Sequence, residues 1–194
     1  MKKGFTLVEL SIVLIIIGLI VGGVIKGTDL INSAQQKKIY NTWVKEWQIV
    51  INMYQDKTGN VLADGADNGG ATGAADGAMD GIDLNATTSA VQTRLKEIGL
   101  TVPTSNVTTS DGGAYRIQGK YVTSEAVITL DKHDTTGKNL MKISGVPTDV
   151  AISFDTITDG VLGQGTGNFT WDGNTSTEWP NVETTTTVDV VLEL

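Results

Sequence analysis

Hydrophobic residues are most concentrated near the start of the chain. Residues 5–25 are apolar except for Thr6, Glu9, Ser11 and three glycines, and two lysines precede them. A helix of about 20 residues, rising about 1.5 Å per residue, crosses the hydrocarbon core of a bilayer. The pattern therefore predicts a membrane-spanning helix whose basic N-terminal end stays on the cytoplasmic side.

A one-sided pattern follows the apolar stretch, with apolar residues recurring every three or four positions, as in a helix with one buried face. These residues are Ile39, Trp43, Trp47, Val50 and Tyr54. No proline interrupts residues 5–58, and Gly59 is a suitable stop signal. We therefore predict one continuous helix over residues 5–58, about 80 Å long at about 1.5 Å per residue. Its tryptophans should pack in a core rather than bind a ligand.

The rest of the chain, residues 59–194, predicts a globular head. Residues 59–88 form a loop rich in glycine and aspartate, which are turn-forming residues. Ser89 and Gln92 have capping-box spacing and predict a helix ending near residue 98. Alternation of apolar and polar residues predicts antiparallel strands further on. These strands cover residues 114–122, 126–130 and 140–144, with a hairpin loop at residues 132–137.

The C-terminal part of the head combines a helix with two strands. Residues 146–155 show helical spacing, with Val150, Phe154 and Ile157 on one face. Residues 169–171 and 187–194 predict edge strands. In the last strand, alternate residues should face the core: Val188, Val190, Leu192 and Leu194.

Glu9 is the residue of the apolar stretch that calls for a functional explanation. A charged side chain in a membrane costs about 2.5–3.5 kcal/mol at the helix centre on insertion scales, and less near an end. A chain that needed only an anchor would gain from replacing it. We therefore predict that Glu9 meets a positive group when its helix packs beside others like it.

Residues 4–9, with the sequence Gly-Phe-Thr-Leu-Val-Glu, resemble the prepilin peptidase motif of type IV pilins and type II secretion pseudopilins. The two preceding lysines resemble the short basic leader of that family. The resemblance implies cleavage between Gly4 and Phe5 by a prepilin peptidase and N-methylation of the new Phe5 amine. It also implies that Glu9 pairs with the N-terminal amine of a neighbouring subunit during assembly.

The resemblance implies a pilin-like α+β fold, in which a long N-terminal helix packs on a C-terminal antiparallel sheet. The expected divisions are a leader (1–4), a filament-core helix (5–27), the amphipathic half of the same helix (28–58) and the head (59–194, with 89–194 holding the sheet). The protein is expected in the inner membrane as a precursor with its head outside, and then in an extracellular homo-oligomeric filament built by an assembly machinery. The chain has no cysteine, so the C-terminal disulfide of many pilins is absent and the head should differ from theirs.

Glycines weaken the predicted helix near the end of its apolar half. Gly18, Gly22, Gly23 and Gly27 each cost about 1 kcal/mol relative to alanine in an exposed helix. Filaments of the family often show a locally melted stretch here. We expect residues 18–27 to unwind in a polymer.

The net charge and the amino-acid composition exclude several classes of function. The net charge of −8 argues against nucleic-acid binding, which needs a basic surface. Without cysteine, disulfides, zinc fingers and thiol catalysis are excluded. Four aspartates of the first loop are weak calcium candidates without EF-hand spacing, and we expect no other cofactor. They are Asp64, Asp67, Asp76 and Asp80.

Three functions remain open at this point. The chain is a structural subunit of a type IV pilus, a pseudopilin of a type II secretion system, or a signal-anchored periplasmic enzyme or binding protein. The first two share the N-terminal motif, so that motif does not separate them. The third requires convergent titratable groups. His133 is the single histidine and lies in a predicted surface turn, so we predict that the protein is not an enzyme.

Overall fold

The computed structural model describes residues 4, 6–71, 73–85, 89–160, 163, 167–172 and 178–194. The chain divides into two compact units, Met1–Gln36 and Lys37–Leu194. A long N-terminal helical segment precedes an antiparallel sheet of six strands among the described residues. This α+β, pilin-like arrangement confirms the fold class predicted from the sequence.

The first helix, α1, spans Leu7–Ile39, and none of its residues is buried. Leucine, isoleucine and valine surround its first half on all sides, so this half has no single face to bury in a core. The helical segment Leu7–Thr58 is the one in the described part of the chain that is long and apolar enough to cross a membrane. The length and the apolar composition of this segment therefore match those of the membrane-spanning helix predicted above.

The helix changes its pitch near the start of the second compact unit, Lys37–Leu194, which is called the head from here on. Tyr40–Val44 form a π-helical turn, and α2 then spans Lys45–Thr58. The predicted continuous helix is confirmed over Leu7–Thr58, and this turn changes its pitch without interrupting it. Within this turn the Thr42 hydroxyl donates to the carbonyl of Lys38 at 2.9 Å and shares that acceptor with the backbone.

The helix α2 ends at the position that the sequence predicts. The helix stops at Gly59, whose backbone has a left-handed φ of 73° and whose N–H donates to the carbonyl of Gln55. Glycine adopts this conformation at little cost, which explains its use as a helix stop.

The buried face of the helix lies in the core of the head. Trp43 and Trp47 are fully buried, and their indole N–H groups donate to the same Gly112 carbonyl at 2.9 and 2.8 Å. Trp43 also packs on Tyr115, with ring centroids 5.4 Å apart. The predicted core packing of both tryptophans is confirmed, and each buried indole N–H has its partner.

Six strands form the sheet in the order β1-β3-β4-β6-β5, and β2 also pairs with β3. They are β1 (Ile82–Asp83), β2 (Ala114–Gln118), β3 (Thr123–Lys132), β4 (Asn139–Pro147), β5 (Phe169–Trp171) and β6 (Thr187–Glu193). All pairs are antiparallel. The prediction that β5 is an edge strand holds, but the same prediction for β6 is wrong because β5 covers it.

The other strand predictions were correct in place and wrong in length. The predicted strand 114–122 contains β2 and a turn, which the Gly119 N–H closes on the Val122 carbonyl at 2.8 Å. The strands β3 and β4 extend beyond residues 126–130 and 140–144, and the hairpin loop between them is confirmed. In β6, three of the four predicted core residues are buried, whereas Leu194 lies beyond the strand and is exposed.

Two short α-helices follow α2 in the described part of the chain. The first, α3, spans Ala90–Glu97, and Ser89 caps it by accepting the Gln92 N–H, as predicted. The Gln92 side chain does not return to the cap; it is buried and donates to the carbonyls of Leu84 and Asp111. The second, α4, spans Thr148–Asp159.

The start of α4 corrects the helix predicted over residues 146–155. Val146 and Pro147 belong to the end of β4, where they pair with β6. Val150 and Phe154 are buried, as their helical spacing predicts. The spacing of the apolar residues predicted the buried face of α4 correctly, but it did not show that the residues before Thr148 belong to a strand.

The loop between α2 and the sheet contributes to the core. Leu62, Ala63 and Met79 are buried there, although no periodic pattern predicts it. Asn68 is buried too, and accepts a hydrogen bond from the Tyr54 hydroxyl at 2.7 Å. This loop, which contains one 3-10 helical turn at Ala66–Asn68, is thus tied to the helix by side chains that hydrophobic periodicity does not detect.

Candidate assembly segment and head surfaces

Glu9 and Thr6 form a capping box at the N-terminus of α1. The Thr6 N–H and hydroxyl each donate to Oε2 of Glu9 at 2.8 Å. The Glu9 N–H in turn donates to the Thr6 hydroxyl oxygen at 3.3 Å. These reciprocal bonds satisfy backbone donors that a helix N-terminus leaves open. The negative carboxylate also lies at the positive end of the helix dipole.

Thr6 is the residue that the sequence analysis missed in this segment. The spacing Thr-x-x-Glu before an apolar run is the signature of a capping box and would have found it. The capping box gives Glu9 a role within its own chain, in addition to the predicted pairing between subunits. It also fixes where the carboxylate lies, beside the first turn of the helix.

Two hydroxyl side chains of α1 are satisfied by their own helix. The Ser11 hydroxyl donates to the Val8 carbonyl, and the Thr28 hydroxyl donates to the Ile25 carbonyl, both at 2.8 Å. Such bonds allow hydroxyl groups in an apolar environment. Glu9 is the single ionisable residue between residues 5 and 25, so it alone brings a charge into that environment.

The glycines of α1 are not explained by contacts within the chain. A Cβ atom added at Gly18, Gly22, Gly23 or Gly27 would meet no atom within 4 Å. Alanine would fit there and favour the helix by about 1 kcal/mol per site. Close packing against another helix and unwinding in a polymer both stay predictions for these glycines.

Two of the calcium candidates brace the first loop of the head. The Asp64 carboxylate accepts the N–H groups of Asp76 and Gly77 at 2.9 and 2.7 Å. The Asp80 carboxylate accepts the N–H groups of Gly65 and Ala71, both at 2.8 Å. These bonds join the two ends of the loop and supply partners for its backbone.

The other two calcium candidates, Asp67 and Asp76, are exposed. The Asp76 carboxylate accepts the Ala78 N–H at 3.0 Å. Among the described residues, no three acidic or histidine side chains are arranged to hold a metal ion. Calcium binding by this loop stays a prediction.

A shallow groove of about 610 Å³ lies over the outer face of the sheet, where Asp131, Lys142 and Asp172 line it. Lys142 forms an ion pair with Asp172. The hydrogen bond to Asp172 raises the pKa of the Lys142 ammonium, because it stabilises the charged form. His133, at the rim, accepts the N–H groups of Thr135 and Thr136 at its Nδ1, as a turn residue would.

Comparison with known proteins bears on the N-terminal segment. Residues 1–25 match the protein family described as the prokaryotic N-terminal methylation motif. This confirms that the segment carries the prepilin signature of type IV pilins and pseudopilins. No curated protein and no solved structure matches the chain. The motif covers Gly4, Phe5, Thr6 and Glu9 but not the head.

Proposed function

We propose that this protein is a structural subunit of an extracellular filament of the type IV pilus kind, which polymerises through its N-terminal helix. A prepilin peptidase cleaves between Gly4 and Phe5, and the new Phe5 amine is methylated. The precursor is held in the inner membrane with its head outside. An assembly machinery then transfers the subunit into the filament.

One observation carries the proposal: Glu9 is the single carboxylate between residues 5 and 25, in an exposed apolar stretch of helix that bears the methylation motif. Exposed apolar surface of this extent needs lipid or protein around it. Lipid surrounds it in the precursor, and neighbouring helices replace the lipid in the filament. A membrane anchor alone would explain the apolar residues but not the carboxylate.

Cleavage creates the positive charge that the carboxylate needs. It removes Lys2 and Lys3 and leaves an amine at Phe5. An ammonium and a carboxylate are each costly in an apolar filament core, and pairing offsets much of this cost. The capping box with Thr6 holds Glu9 at the first helical turn, which is where a neighbour's N-terminus would have to lie.

The head favours a pilus subunit over a secretion pseudopilin. The family's major pseudopilin is usually shorter, whereas this head, Lys37–Leu194, has a long first loop. Asp64 and Asp80 brace that loop into a defined surface. A filament that works outside the cell presents such surfaces along its whole length.

The test is electron microscopy of cells that produce the chain at its natural level, with antibodies against the head. A pilus subunit predicts long labelled fibres beyond the cell surface. A pseudopilin predicts no such fibres, together with loss of protein secretion when the gene is deleted. An anchored periplasmic protein predicts label in the cell envelope, without fibres or a secretion defect.

A further inference from the structure

Charges are segregated along the head. Residues 59–93 contain five aspartates and no lysine or arginine. The helical residues 37–57 contain four lysines, at positions 37, 38, 45 and 57, and two acidic residues. A head with interspersed charges would repel its neighbours uniformly. Segregated charges instead allow attraction between different faces of two copies.

The lysines share the outer side of the helix with two exposed apolar residues. Lys45, Ile49 and Met53 lie four residues apart along one face of α2. Ile49 and Met53 are 47% and 43% exposed, and Tyr121 and Leu194 are the other large hydrophobic residues exposed among the described residues of the head. We call Lys37, Lys38, Lys45, Ile49 and Met53 the basic strip.

The complementary surface is the first loop of the head. We call residues 59–83 the acidic loop. Asp67, Asp76 and Asp83 are exposed on it, while Asp64 is buried and binds backbone N–H groups. The five ion pairs of the described residues involve neither the basic strip nor the acidic loop. Neither surface therefore uses its charge in an ion pair within the described part of the head.

The groove on the sheet is less suited to the basic strip. Its carboxylates Asp172 and Glu193 pair with Lys142 and Lys138, and Lys132 lies between Asp131 and Asp134 in its lining, so positive and negative charges are interspersed there. The acidic loop has no basic residue in its own sequence. Charge complementarity therefore favours the loop.

We propose that the basic strip docks on the acidic loop of a second copy of this chain. This inference rests on the proposed filament. Strip and loop are different surfaces of one head, so each copy has one of each, and the contact can repeat from subunit to subunit. Ile49 and Met53 give the contact an apolar centre, and the lysines around them select the acidic partner.

The test reverses the charge of the strip in full-length protein made in cells that assemble the filaments. Lys38→Glu with Lys45→Glu should reduce filament yield about tenfold, which corresponds to ~1.4 kcal/mol of association free energy. Lys120→Glu with Lys132→Glu is the control, because it changes net charge equally and at exposed sites outside the strip. The control should assemble normally, and thermal unfolding of the purified chains should show folded heads in both.

A charge swap identifies the partner surface. Adding Asp67→Lys and Asp76→Lys to the strip reversal should restore the yield.

Normal assembly of the strip reversal, with wild-type filaments present, would overturn the inference and leave the proposed function intact. A loss that the swap does not restore, in folded heads, would overturn the assignment to the acidic loop. Normal assembly with reduced precursor in the inner membrane would show that the strip binds anionic lipid instead. Absence of filaments from wild-type cells would count against the proposed function itself.

Discussion

At the scale of single residues, Glu9 has one role in the structure and a second in the proposed filament. In the precursor its carboxylate accepts two hydrogen bonds from Thr6 and completes the helix N-terminus. In the proposed filament the same carboxylate would pair with a neighbour's ammonium. The first role stabilises a helix end, and the second offsets the cost of a charge among apolar helices.

Glu9→Ala should abolish or strongly reduce filaments while the head stays folded, because Glu9 lies in the unit that is separate from the head. Sheared filament yield measures assembly, and thermal unfolding of the purified chain measures the head. Glu46→Ala, which removes an exposed carboxylate from α2, is the matched control. Normal filament yield from Glu9→Ala would contradict the proposed pairing.

Thr6→Val tests the positioning of Glu9. The substitution keeps the shape of the side chain but removes the hydroxyl that bonds Oε2 of Glu9, and loss of such a cap costs about 1 kcal/mol. Filament yield should fall, though less than with Glu9→Ala, and Thr6→Ser should restore it. Equal assembly by the valine and serine variants would show that the hydroxyl has no part in it.

Lys142 makes head stability depend on pH. Its hydrogen bond to Asp172 raises its pKa, so the pair stabilises the head fully below the ordinary lysine pKa of about 10.4 and less as pH rises through the folded-state value. Lys142→Met should lower the free energy of unfolding by up to about 1 kcal/mol at neutral pH. Chemical denaturation of both proteins should give a difference that shrinks as the pH rises past the ordinary lysine pKa. A difference that stays constant with pH would rule out the ion pair as its cause.

At the scale of elements, the helix has two halves with different requirements. The apolar half buries nothing in the described chain, whereas the half that follows buries Trp43, Trp47 and Tyr54. The sequence predicts both, because an all-round apolar pattern and a one-sided stripe are distinct signals. It does not predict the π-helical turn between them, since the spacing of the apolar residues through the turn is the one expected of an ordinary helix.

Replacing Gly18, Gly22 and Gly23 together with alanine tests the helix flexibility proposed for this stretch. Open space around each Cβ means that the triple variant fits the isolated chain and gains helix stability of about 1 kcal/mol per site. Assembly should nevertheless fall if the stretch unwinds in the polymer. Ser33→Ala, in the same helix beyond the glycines, is the control. A normal filament yield, together with a continuous helix in a reconstruction of the filament, would contradict the proposed unwinding.

At the scale of the whole molecule, the sequence predicts the fold class and the assembly segment better than the surfaces of the head. The motif at residues 4–9 is local, so consecutive residues reveal it. The bracing of the first loop by Asp64 and Asp80 is not a local feature, because each carboxylate binds backbone N–H groups that are distant in the sequence. The position of β6 inside the sheet likewise depends on its pairing with β5, which neither strand reveals alone.

Mass spectrometry of the N-terminal peptide from purified extracellular filaments tests the central claim most directly. The account predicts that the peptide begins at Phe5, carries a methyl group on its amine and comes from fibres that contain the head. A chain that keeps residues 1–4, stays in the membrane fraction and is missing from the filaments would contradict it.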